Sequence, residues 1–91
     1  MTRISVEAID ATSFDVTVEA RKTTRHRVTV SPGYLRELTG GKGTAEDLVR
    51  RSFEFLLERE PNTSILTTFD LRLIGSYFPE YEEIIRRRVR S

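Results

Sequence analysis

The sequence predicts a small α+β domain, a three-stranded antiparallel meander followed by three to four helices packed on one face of the sheet, in the order βββαααα. Three observations predict it. Apolar and polar residues alternate with period two through the first third of the chain. The links between the alternating runs are short and polar, which joins neighbouring strands antiparallel. From Ser31 onward the apolar spacing changes to three and four, punctuated by capping hydroxyls, Pro and Gly.

In the first run Ile4, Val6 and Ala8 share one face and Ser5 and Glu7 the other. The second places Phe14, Val16, Val18 and Ala20 opposite Asp15, Thr17 and Glu19. In the third, Val28 and Val30 alternate with Arg27 and Thr29. Asp10-Ala11-Thr12-Ser13 and Arg21-Lys22-Thr23-Thr24 are the links. If the second and third strands share an apolar face, two registers remain. One sets Val18 against Val28 and Glu19 against Arg27; the other sets Val16 against Val28 and Glu19 against Arg25.

Ser31-Pro32 opens a first helix, a capping hydroxyl followed by Pro in the first turn, and Gly40-Gly41 stops it. Thr44 caps a second helix, with Asp47 three residues on and Leu48, Val49, Phe53, Leu56 and Leu57 along one stripe. Phe55 widens that stripe, so this helix is buried on more than one side, and Pro61 ends the segment. Asn62-Thr63-Ser64 reads as a loop. Thr67 and Asp70 suggest another cap ahead of Leu71, Leu73 and Ile74. Pro79 opens a last helix in which Tyr81, Ile84, Ile85 and Val89 share a face. Its acidic first turn and basic last turn complement the helix dipole.

Residues 1–91 read as a single domain, without repeats or a dividing linker. Fifteen Lys and Arg stand against fourteen Asp and Glu, and successive thirds of the chain carry +1, −1 and +1. A global attraction to polyanions is therefore excluded, and only local patches can support one. There is no Cys and one His, which excludes disulfides, thiolate chemistry and multi-His metal sites. No metal or cofactor is expected. No apolar run reaches the ~18 residues of a membrane span, and the N-terminus has no apolar signal region. A cytoplasmic protein without membrane contact is the expectation. A domain this small with no covalent staple also favours self-association.

Candidate residues fall into a few groups. His26 is the one plausible general base, but no nucleophile or orienting carboxylate accompanies it in sequence, so it reads as a satisfied structural residue. Gly40-Gly41-Lys42-Gly43-Thr44 lacks the order of a phosphate-binding loop and reads as a helix stop and tight turn. Glu80, Glu82 and Glu83 read as a solvated face paired with Arg86 and Arg87. The Arg86–Arg90 run reads as dipole complementarity. Arg21, Lys22, Arg25, Arg27 and Thr29 form a basic hairpin whose residue types suit phosphates and base edges. Tyr77, Phe78 and Tyr81 supply apolar surface for a protein partner.

Arg25-His26-Arg27-Val28-Thr29-Val30-Ser31 resembles the ribbon of ribbon-helix-helix proteins, and Gly43-Thr44-Ala45-Glu46-Asp47-Leu48-Val49-Arg50-Arg51-Ser52-Phe53-Glu54-Phe55-Leu56 resembles their second helix. The similarity covers residues 25–60. It implies outward-pointing Arg25, Arg27 and Thr29 that read DNA. The stretch Ser52 to Leu66 and the stretch from Phe69-Asp70-Leu71 to Tyr77-Phe78-Pro79-Glu80-Tyr81-Glu82 resemble a group of small bacterial proteins of unassigned function, which implies a bacterial cytosolic setting and no activity.

The reading that follows is a non-enzymatic binding or regulatory module. It acts through protein–protein contacts or self-association; the alternative is a nucleic-acid-binding regulator that uses the basic hairpin.

Overall fold

The computed structural model describes residues 2–90. Strands β1 (Arg3–Ala8), β2 (Ser13–Glu19) and β3 (Thr23–Thr29) form the expected antiparallel meander. Helices α1 (Pro32–Thr39) and α2 (Ala45–Leu57) follow. A fourth strand, β4 (Thr68–Asp70), then pairs parallel with β3, giving the order β1-β2-β3-β4. The chain ends with the short helix α3 (Ile74–Tyr77) and with α4 (Tyr81–Arg90). The three-stranded expectation is corrected here. A parallel partner three residues long is too short to show alternation, and the two helices between β3 and β4 make the crossover that a parallel pairing requires.

Both expected β2–β3 registers are also corrected. Phe14 stands opposite Val28, Asp15 opposite Arg27 and Val16 opposite His26, while Glu19 meets Thr23. Thr23 and Thr24 belong to β3, and the link is only Ala20-Arg21-Lys22, closed by the Ala20 N–H donating to the Lys22 carbonyl at 3.3 Å. The shorter turn slides the strands by an even number of residues, so each side chain keeps its face.

The helix signals act where the sequence places them. The Ser31 hydroxyl accepts from the Tyr34 N–H at 3.1 Å and the Thr44 hydroxyl from the Asp47 N–H at 3.1 Å. Gly40 ends α1 at φ +67°, in the left-handed region that glycine tolerates, and Gly41 and Gly43 continue the turn at positive φ. Asp70 caps the 3-10 turn Leu71–Leu73 by accepting from the Arg72 N–H at 3.0 Å. α4 begins two residues beyond Pro79, at Tyr81.

One face of the sheet is buried and the other open. Phe14, Val16, Val18 and Val28 lie under the helices with Phe53, whose ring sits 5.3 Å from His26 and 6.0 Å from Phe69. α4 packs on α1 and α2 rather than on the strands. Tyr81 is fully buried there. Its ring meets Phe55 edge-on at 5.2 Å, and its hydroxyl lies 2.6 Å from the Ser52 hydroxyl. Ser52 donates its own proton to the Leu48 carbonyl at 2.7 Å, so Tyr81 is the donor of the pair. The expectation that Tyr81 offers exposed apolar surface is therefore corrected. It lies on the α4 face with Ile85, and α2 covers that face.

No described helix is long and apolar enough to cross a membrane.

Candidate functional site

Two of the sequence-derived surfaces remain exposed, and their geometry differs. The basic hairpin lies on the open sheet face and at the β2–β3 turn. Arg21 and Lys22 are exposed at the turn, Arg25 and Arg27 point outward from β3, and Thr29 is half-buried. Acids stand among them. The Arg27 Nε donates to Asp15 Oδ1 at 2.7 Å, and the Thr29 hydroxyl donates to Asp70 Oδ2 at 2.8 Å. Arg3, Arg25 and Arg27 share the face with Glu7, Asp15, Glu19 and Asp70, so acids outnumber bases there. β3 is bonded to β2 along one edge, and on the other β4 takes Arg27–Thr29, the part of β3 that a ribbon from a second subunit would share.

The other basic run is engaged by partners within the chain. Both Arg88 guanidinium nitrogens that face Glu58 donate to its carboxylate at 2.9 Å, bridging α4 to the end of α2. That pairing, helped by Arg59, holds the Glu58 carboxyl below the usual glutamate range. Arg86 faces Glu82 and Arg87 bonds Glu83, each one turn away on α4, and the Arg90 guanidinium lies against Gly40 at the C-terminus of α1. The acidic first turn is engaged as well, with the Tyr34 hydroxyl donating to Glu82 Oε2 at 2.8 Å. Burial and this carboxylate both push the Tyr34 hydroxyl upward in pKa.

His26 is 2% exposed, and both ring nitrogens are committed. Its Nδ1 lies 2.7 Å from the Leu66 carbonyl, which only accepts, so Nδ1 carries the proton. Nε2 lies 2.9 Å from the Thr24 hydroxyl, and Thr24 accepts from the Asn62 amide at 2.9 Å. Asn62 also donates to the Lys22 carbonyl at 2.9 Å. Among the described residues no buried side-chain polar atom lacks a partner. This chain of bonds fastens the segment after α2 onto β3. Asn62 is buried in a 3-10 turn, where a plain loop was expected.

What the fastened segment builds is an apolar groove of about 250 Å³. Its floor is core: Leu56 from α2, Ile65, Phe69 from β4 and Ile74 from α3. Its rim is exposed: Leu66 at 47%, Leu73 at 36% and Tyr77 at 65%. Phe78, half-buried against the Phe55 ring at 5.8 Å, closes one end. The expected interaction residues thus divide: Tyr77 and Phe78 line the groove, and Tyr81 lies beneath it in the core. Leu66 and Leu73 are the members that sequence reading missed. Leu66 follows Ile65 in an irregular stretch and Leu73 ends a three-residue 3-10 turn, and neither segment is long enough for periodicity to mark which apolar residue faces out.

Among the described residues no cluster of three or more His, Asp or Glu side chains could hold a metal ion. No family model, no curated protein and no solved structure matches this chain.

Proposed function

We propose that the protein is a non-enzymatic binding module that acts through protein–protein contacts, with the groove between α2, β4 and α3 as its contact surface. One observation carries the reading. The large exposed apolar side chains of the described residues are Ile9, Leu66, Leu73 and Tyr77, and three of these four rim the same groove. Apolar surface scattered singly needs no explanation, whereas a cluster around a concavity marks a place where an apolar side chain gains by leaving water. The groove admits one or two such side chains from a partner segment, with Tyr77 at its rim. His26 supports the non-enzymatic reading, since its Nδ1 is bonded to the Leu66 carbonyl of the groove and its Nε2 is engaged by Thr24. The acids interleaved with Arg25 and Arg27 favour a protein partner over nucleic acid.

The test selects binders from a random peptide library and maps them by amide chemical-shift changes on the labelled protein. Shifts at Leu66, Phe69, Leu73 and Tyr77, lost in Leu73→Glu, are the expected result. Selected peptides that move only the open sheet face refute the assignment. So does duplex DNA or single-stranded RNA that binds at micromolar protein with a steep salt dependence removed by Arg25→Ala/Arg27→Ala.

A further inference from the structure

β1 is an edge strand whose outer side has no strand partner among the described residues. The orientation of its backbone follows from two bonds. The Ile9 N–H donates to the Ser13 carbonyl at 2.8 Å, so the odd-numbered residues Arg3, Ser5 and Glu7 bond toward β2. The even-numbered residues Ile4, Val6 and Ala8 therefore turn their N–H and C=O groups outward. The Arg50 guanidinium, reaching from α2 to the Ile4 carbonyl at 2.6 Å, shows the same direction.

Natural edge strands are usually guarded by shortness, Pro, bulges, charged side chains or a covering helix or loop. β4, the other edge, is three residues long and runs straight into a 3-10 turn. β1 is six residues long, with neither Pro nor Gly, and its two charged residues, Arg3 and Glu7, are opposite in sign. That last feature selects a partner. Two copies of β1 laid antiparallel about Ser5 place Arg3 against Glu7 and Glu7 against Arg3 on the polar face. On the other face they place Ile4 against Val6, twice. Sliding the pairing by two residues either way sets Arg3 against Ile9 or against Ser5 and loses both charge pairs. In the favoured register Ile4 and Val6 are the directly bonded positions, so each edge donates and accepts through groups that already face outward. The Ile4 carbonyl has a second lone pair for the partner strand while Arg50 keeps the first. Ile4 and Val6, half-buried at the margin of the core, would be covered by the same contact.

We propose that β1 is a self-association edge: two copies of this chain pair their β1 strands antiparallel about Ser5, with reciprocal Arg3–Glu7 contacts, and continue one sheet through the dimer. The surface is separate from the apolar groove.

Sedimentation velocity from micromolar to submillimolar protein tests it with charge exchange. Wild type sediments as a concentration-dependent dimer. Arg3→Glu alone and Glu7→Arg alone each set like charges opposite one another and weaken self-association by about tenfold. An equimolar mixture of the two variants restores dimerisation, because every cross-strand pair in the mixed dimer again joins an acid to a base. Val6→Pro removes an outward N–H that β2 does not use, and it abolishes the dimer while circular dichroism reports the fold. Wild type that remains monomeric throughout overturns the proposal. A dimer that ignores both charge variants overturns it too, as does one abolished instead by Leu73→Glu, which would move self-association to the groove.

Discussion

Removing the Ser52 hydroxyl should destabilise the protein more than removing the Tyr81 hydroxyl it touches. Both residues are fully buried and their oxygens are 2.6 Å apart. In Tyr81→Phe, Ser52 still donates to the Leu48 carbonyl, and only an acceptor lone pair goes unused. The expected cost is about 0.5–1.5 kcal/mol, the net worth of one hydrogen bond. Ser52→Ala instead leaves the Tyr81 O–H as a donor with no acceptor, in a site walled by Phe55 and the α2 backbone. A stranded donor brings its desolvation cost on top of the lost bond, so about 2–3 kcal/mol is expected. In Ser52→Ala/Tyr81→Phe the stranded group is gone, and the double variant should be more stable than Ser52→Ala alone. Urea unfolding followed by circular dichroism gives the full cycle. Thermal melts should fall by roughly 4–8 °C for each kcal/mol in a domain of this size. Equal, near-zero effects of both single changes would refute the buried pair and return Tyr81 to the surface.

Phe53, buried between His26 and Phe69, should cost about 3–5 kcal/mol as Phe53→Ala, comparable with the whole stability of a small domain; an unchanged urea midpoint would contradict its place in the core. Glu58 gives the pH dependence. Its folded pKa lies below the ordinary 4.5, so its bridge to Arg88 contributes fully above that value and is lost as pH falls through the folded pKa. Wild type should therefore lose more stability than Glu58→Gln as pH falls below about 4.5, by well under ~1 kcal/mol because the carboxylate is half exposed. Parallel acid melts of the two proteins check it.

Much of the architecture is local and was legible. Alternation at Phe14, Val16 and Val18 marked a buried strand face because side-chain direction in a strand depends on residue parity alone. Ser31, Thr44 and Asp70 marked turn and helix starts because a capping side chain bonds backbone two or three residues away. Gly40 marked a helix end because left-handed backbone favours glycine. His26 read as a satisfied structural residue, since no nucleophile or carboxylate stood near it in the chain.

Tertiary structure decided the rest, wherever the partner lies far off in sequence. Parity fixes the face of each strand but not how far β2 slides along β3, and a three-residue turn chose a register that leaves Asp15, not Glu19, to neutralise the hairpin. β4 is too short to announce itself and exists because β3 has an edge to fill. The apolar stripe of α4 contained Tyr81, yet only the packing of α2 against it decides that Tyr81 is covered while Tyr77, four residues earlier, is not. The groove joins Leu56, Leu66, Leu73 and Tyr77 from four segments, brought together by bonds from Asn62 and His26 that span about forty residues of chain. Sequence pattern carries the energetics of neighbours along the backbone; surfaces made by distant segments appear only when those segments have been packed.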